Sequence, residues 1–278
     1  MRHGIVSATR GTVAAAPMLR RISIMELVDT HCHLDVAEFD ADRAAVLARA
    51  RAAGVVAQIV PAIAADSWDS LLALCDREPD LYPALGLHPV FTRQHRDADL
   101  SALEQRLDTA RPVAVGEIGL DFWIEDADRE RQEQLFAAQL AIARDAGLPV
   151  VVHVRKAHDE TIRLLAAARV GGGIIHAFNG SLQQGMRYRE MGFLLGFGGM
   201  LTFERSSRLR RLARELPLDA IVLETDAPDL TVASHRGQRN SPEYLPEVLA
   251  ALAGVRDEAP ATVAERTTRN ARTLFGLA

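Results

Sequence analysis

The chain has 278 residues, 48% hydrophobic and 25% charged, a balance that excludes a disordered or fibrous protein and leaves room for one large domain or two small ones. A formal net charge of -5 excludes a broad basic surface for gripping nucleic acid, so any phosphate binding has to come from a local site. Two cysteines, Cys32 and Cys75, give no grounds for a disulfide framework, and no apolar run is long enough to cross a bilayer, so a cytoplasmic, non-membrane protein is expected.

Residues 1–24 differ from the rest: they carry Arg2, Arg10, Arg20 and Arg21 and no acidic residue. That composition resembles an organellar transit peptide, but a helical apolar stripe and a signal-type apolar core are both missing. The segment is expected to be a disordered extension or a mis-assigned start, with Met25 the natural first residue and 25–278 a single domain. Removing the four arginines takes the net charge from -5 to -9.

From Val28 onward short apolar runs alternate with amphipathic segments. A strand over 27–33 leads to a helix carrying Ala44, Val46 and Leu47, which stops at Gly54. A strand over 55–63, a helix over 67–77, a strand over 81–87 and a helix near 100–107 follow. The fourth strand, 113–120, precedes a long helix over 129–146 capped by Gly147. Strands over 149–155, 173–178, 193–197 and 220–225 then alternate with helices over 159–168, 182–191 and 208–216, and helices near 243–253 and 261–274 close the chain. Eight apolar strands alternating with helices make a parallel (β/α)8, or TIM, barrel the expected architecture.

Active sites of such barrels lie at the C-terminal ends of the strands. His31 and His33 end the first strand, His88 the third, Glu117 the fourth, His153 the fifth, His176 the sixth and Asp226 the eighth. His3, His95, His158 and His235 fall elsewhere and are expected to be surface or loop residues. A lone His-x-His is as compatible with a solvated turn as with a ligand pair. The strand-end set exceeds what one tetrahedral metal with an open position requires, so a two-metal centre is the economical reading. Period two places Asp29 on the face of His31 and His33 and turns Cys32 away as a packing residue. The same period lifts Arg155 one layer above His153, where its guanidinium fork can meet an anion. Glu224, one layer below Asp226, is expected to orient a ligand histidine, and Asp121 either supports a ligand or meets substrate.

The runs Asp29-Thr-His-Cys-His-Leu-Asp35, Gly86-Leu-His-Pro89, Gly116-Glu-Ile-Gly-Leu-Asp121, His153-Val-Arg155, His176-Ala-Phe-Asn-Gly-Ser181 and Glu224-Thr-Asp-Ala-Pro228 resemble the ordered motifs of the TatD family of metal-dependent hydrolases, within the amidohydrolase superfamily. Arg129-Glu-Arg-Gln, Ser181-Leu-Gln-Gln and Asp229 look most like its YjjV-type branch. Many other members carry an aromatic residue where Asp229 stands, so base stacking at that position is not carried over. Ala177 and Asn179 likewise stand where Cys and Ser are common.

The resemblance implies that His31, His33 and Asp226 hold one metal, His153 and His176 the other, and that Glu117 bridges them. Some amidohydrolases place a carbamylated lysine there, but the only lysine here, Lys156, lies past the fifth strand and is expected at the surface or the substrate edge. The implied reaction is phosphodiester hydrolysis at a nucleic-acid end, as in 3′ to 5′ trimming of DNA. Water is activated at the two-metal centre and oriented or deprotonated by Asp226, and His88 and Arg155 position the phosphate. Histidine ligands favour zinc or manganese in the purified protein, with magnesium or manganese supporting the reaction. Substrates are then a nucleic-acid end or a small phosphodiester, and a monomer is expected. Two rivals use the same residues: an amide or ester hydrolase such as a D-aminoacyl-tRNA deacylase, and a non-catalytic metal-binding scaffold. The loop over 230–244 is expected to wall the cleft, with Arg236 and Arg239 either on phosphates or solvated.

Overall fold

The computed structural model describes residue 1 and residues 25–277, so the expectation for the N-terminal segment lies outside the described residues. Eight strands follow in chain order: β1 (Leu27–Asp29), β2 (Val55–Pro61), β3 (Leu81–Leu85), β4 (Ala114–Asp121), β5 (Val150–Arg155), β6 (Gly173–Ile175), β7 (Phe193–Phe197) and β8 (Ile221–Leu223). Each pairs in parallel with the next. Loop backbone draws the first and last strands together. The Thr30 amide and hydroxyl both donate to the Leu223 carbonyl at 3.0 Å, Asp226 N donates to the His31 carbonyl at 2.8 Å, and His33 N donates to the Ala227 carbonyl at 2.8 Å. The result is the (β/α)8 barrel expected from the alternation of runs.

The helices are α1 (Arg43–Ala52), α2 (Trp68–Cys75), α3 (Asp97–Ala110), α4 (Arg129–Asp145), α5 (His158–Ala168), α6 (Leu182–Glu190), α7 (Ser207–Glu215), α8 (Leu245–Arg256) and α9 (Pro260–Phe275). Local chemistry sets several boundaries. The Asp128 carboxylate accepts from Arg131 N at 3.0 Å and starts α4, and Gly147, at φ +67°, supplies the left-handed turn beyond its end. Ser181 and Gln184 exchange side-chain and backbone hydrogen bonds as a capping box for α6.

Two apolar layers hold the barrel. Val28, Ala57, Ile59, Ala84, Val151, Ile174 and Val222, from six strands, pack together inside it. The opposite faces, with Leu34, Leu71, Phe136 and Phe178, pack between strands and helices. Burial on both faces explains why the strands read as continuous apolar runs.

The first strand is shorter than the alternation predicted. Its ladder ends at Asp29, where Val28 pairs with Ala57 and Asp29 with Gln58. Because Val28 faces the barrel interior, Asp29 falls on the other face, and the expectation that it shares a face with His31 and His33 is wrong. Past the ladder the Thr30 amide turns to β8 and the Cys32 amide turns back to the Ile59 carbonyl of β2 at 3.1 Å, an irregularity that resets the phase. The buried Asp29 carboxylate instead accepts from Thr225 N at 2.9 Å, the Thr225 hydroxyl at 2.6 Å and His31 N at 3.3 Å.

Candidate metal centre

His31, His33, Glu117 and Asp226 converge from β1, β4 and β8. His31 Nε2 lies 3.1 Å from His33 Nε2, 3.2 Å from Glu117 Oε2 and 3.5 Å from Asp226 Oδ1. His33 Nε2 lies 3.4 Å from Glu117 Oε2 and 3.7 Å from Asp226 Oδ1. Tetrahedral bonds of about 2.0–2.1 Å set neighbouring ligand atoms about 3.3 Å apart, so these four donors have the spacing of one ion's shell. Glu117 Oε2 is buried with no hydrogen-bond partner, as suits an oxygen that serves a cation.

The other Glu117 oxygen faces a second set. Oε1 is 3.0 Å from His153 Nδ1 and 3.2 Å from His88 Nε2. His176 Nε2 is 3.6 Å from Asp226 Oδ2, and its ring stacks on His31 at 3.7 Å between centroids. The structure therefore brings His31, His33, His88, Glu117, His153, His176 and Asp226 into one cluster, while Arg155 stands at the exposed rim of the same cleft.

The far ring nitrogens sort these histidines. His33 Nδ1 lies 3.1 Å from the Pro61 carbonyl, His153 Nε2 3.0 Å from Asp121 Oδ2 and His176 Nδ1 3.1 Å from Glu224 Oε1, all acceptors only. A proton held there leaves the lone pair of the near nitrogen aimed at the centre. His88 is reversed. Its Nδ1 accepts from Val90 N at 3.1 Å, so in the neutral ring the proton sits on Nε2 and points inward. With that tautomer His88 presents a donor to the cluster, although its ring nitrogen lies close enough to Glu117 and His153 to be grouped with them as a set that could hold an ion.

Charge within the cluster is balanced among its members. Burial opposes ionisation of Glu117, yet His88, His31 and the hydrogen bond from His153 hold it well below the usual carboxylate range. Burial likewise opposes a charged His33, but Glu117 and Asp226 carry it up to about 9. Against the same burial, Glu224 and Asp226 carry His176 up to about 10. Burial pushes His31 and His88 down and Asp226 up to about 6. Protons thus take the positions that suit cations.

The family model described as TatD related DNase matches residues 28–276. The chain belongs to the TatD family. It is 41% identical to the uncharacterized metal-dependent hydrolase YjjV of Escherichia coli (strain K12) over 257 residues, 91% of this chain and 99% of the relative. The crystal structure of that TatD homologue superposes with a TM-score of 0.88, covering 92% of this chain and 100% of the other. The 3′-5′ ssDNA/RNA exonuclease TatD of Salmonella typhimurium is 35% identical over 257 residues, 90% of this chain and 98% of the relative. The chain is accordingly a TatD-family metal-dependent hydrolase.

Around this TatD-type centre, supporting residues are dense. Glu224 Oε1 also accepts from Ala177 N at 2.6 Å, and a Cβ on Gly196 would stand 2.1 Å from Glu224 Oε2, so glycine is what lets the carboxylate approach. Asp226 itself sits at φ +59°, a conformation that disfavours side chains, with its amide tied to the His31 carbonyl. Asp121 reaches His153 and also accepts from Trp123 N at 2.9 Å, contacts that suit the support of a histidine, while it also lines the cleft. Cys32 is fully buried, its thiol directed at the Ala227 carbonyl at 3.8 Å and pushed up by burial, as a packing residue should be.

The sequence reading gave no structural role to two glutamines, although Gln132 closes the Arg129-Glu-Arg-Gln run. Gln132 Oε1 accepts from Asp121 N at 2.8 Å while its amide donates to the Asp121 carbonyl at 3.1 Å. Gln139 does the same for Leu87, at 2.7 and 3.2 Å, immediately before His88. Two turns of α4 separate them, and two polar residues at that spacing among apolar ones on a buried helix face were the available signal.

The remaining expectations divide. Among the four histidines set aside, His95 is a loop residue as expected but a buried one, its Nε2 2.9 Å from the His88 carbonyl. His158 is half-buried against the Tyr188 hydroxyl at 3.1 Å, His235 stacks on Tyr244 in a loop, and His3 lies outside the described residues. Arg239 is committed to Asp42 at 2.7 and 2.9 Å and to the Phe39 ring, so it is not free for phosphate. The cleft over the centre has a volume of about 970 Å³. Its outer wall comes from Met200, Arg205, Ser207 and Leu230, beside Phe91 across the opening.

Proposed function

We propose that the chain is a phosphodiesterase acting on nucleic-acid ends, a deoxyribonuclease of 3′ to 5′ exonuclease type, with two divalent ions at its centre. The observation that carries the two-ion reading is Glu117, whose oxygens face separate nitrogen sets, His31 with His33 on one side and His153 on the other. On this reading His31, His33 and Asp226 hold one ion, His153 and His176 the other, and Glu117 spans both. When bound, such ions act as Lewis acids toward phosphoryl oxygens and make water acidic enough to yield a nucleophile near neutrality.

The side chains divide the remaining tasks. Asp226, reached from both halves of the cluster, accepts the proton of the attacking water. His88 donates its Nε2 proton in a hydrogen bond to a phosphoryl oxygen, its tautomer fixed by Val90 N. Arg155, at the rim, offers a bidentate fork to the phosphate. Asp121 and Glu224 hold the rings of His153 and His176 in orientation. A nucleic-acid substrate draws further support from the exonuclease name of the Salmonella relative.

The test is a substrate panel on metal-reconstituted protein: a nucleotide diester, a 3′-tailed DNA and a D-aminoacyl-tRNA, with Asp226→Asn as control. Cleavage of the first two, lost in the variant, is expected. Retention of metal-dependent phosphodiesterase activity by Asp226→Asn, or turnover of the aminoacyl ester alone, overturns the reading. Elemental analysis should find zinc or manganese in the purified protein, and finding neither, with activity in magnesium only, overturns that part.

A further inference from the structure

Apart from Met1, Trp123 is the most exposed large hydrophobic side chain of the described residues, at 58%. It lies just past β4 beside Arg155, and its position is set because its amide donates to the same Asp121 carboxylate that holds His153. Two cations accompany the indole: the Arg155 guanidinium 5.2 Å from the ring centroid and the Lys156 ammonium 5.4 Å from it. Arg155 also lines the cleft. Beside the cleft wall, an indole that is 58% exposed thus stands with two cations over its ring that are also suited to phosphate, and hydrogen bonds join it to a proposed ligand histidine.

We infer that Trp123 is a stacking platform for a nucleobase of the substrate, beside a phosphate held by Arg155. The inference rests on the phosphodiesterase reading and deepens it. An aromatic face that meets any base, flanked by cations that meet any phosphate, suits single-stranded ends with little sequence preference. It also provides an aromatic contact that Asp229, on the β8 side of the mouth, cannot offer. Duplex DNA keeps its bases stacked on one another and gives such a platform less to bind, so single strands are the favoured form.

The test compares thymidine monophosphate, which has no diester bond to cleave, with deoxyribose phosphate, which has no base. Both are titrated into the metal-loaded full chain by calorimetry. The nucleotide should bind roughly 5- to 100-fold more tightly, Trp123→Ala should bring that ratio close to one, and Trp123→Phe should keep most of it. Tryptophan fluorescence gives a second readout, since the chain has two tryptophans and Trp68 is buried. Quenching by the nucleotide should be absent for deoxyribose phosphate. In turnover, the KM advantage of a thymidylate oligomer over an abasic one should fall in Trp123→Ala while Trp123→Phe keeps it. Equal affinities for the two monophosphates, or a ratio unmoved by Trp123→Ala, overturns the platform even if DNA is cleaved. A base-dependent ratio lost in Trp123→Ala upholds it even if no diester is cleaved, an outcome that overturns the phosphodiesterase reading instead.

Discussion

At the scale of single residues, the histidines of the cluster differ by where their protons are fixed. His33, His153 and His176 have acceptors behind them, whereas His88 has the Val90 amide behind it. His88→Ala should therefore leave metal content unchanged and lower kcat by about 10²-fold or more, the scale of a lost donor to the reacting group. Loss of metal from that variant would instead make His88 a ligand. The raised values of His33, about 9, and His176, about 10, set a second expectation. Both rings carry protons at pH 7 in the metal-free protein, and a metal must displace them. Metal uptake at pH 7 should release protons, and apparent affinity should climb with pH until it passes those values. Calorimetry in buffers of different ionisation heat measures the release, and a pH-independent affinity would contradict the assignment.

At the scale of elements, what the sequence revealed and what it concealed have physical causes. Runs such as Val150 to Val152 are apolar on both faces because helices cover the barrel, so strand positions were legible from composition alone. The register of His31 and His33 was not. It depends on the irregular stretch after Asp29, where Thr30 bonds to β8 and Cys32 back to β2, contacts made between residues far apart in sequence. Glu224 behind His176 was legible because Asp226 and Glu224 keep period two, whereas Gln132 and Gln139 act from a helix onto backbone, which strand periodicity does not report. Gln139→Ala would leave the buried Leu87 amide and carbonyl without their partner. It should cost about 2–4 kcal/mol in denaturant-measured stability and lower activity through His88, while an exposed glutamine on α4 such as Gln134, bonded only to Glu130 on the surface, should cost almost nothing. Gly196→Ala should lower metal affinity by roughly 10- to 100-fold by displacing Glu224 from His176. Unchanged metal binding in that variant would show that Glu224 does not orient the ring.

At the scale of the molecule, the proposed function asks an acidic protein to meet a polyanion through a few cations at the mouth of one cleft. Arg155 and Arg205 line it and Lys156 stands beside Trp123, so the salt dependence of single-strand binding should be shallow. Roughly three phosphate contacts predict a log–log slope near about -2, and a slope several times steeper would require a basic track elsewhere on the surface.

The seam between β1 and β8 has a further consequence for the life of the chain. Asp226 donates its amide to His31, 195 positions earlier, and the carboxylate and imidazole of the same pair enter the cluster together. A chain emerging from the ribosome exposes His31 and His33 long before Glu224 and Asp226 have been made. The complete donor set exists only after the last strand arrives, so an unfinished barrel lacks the full centre and hydrolytic competence comes with closure.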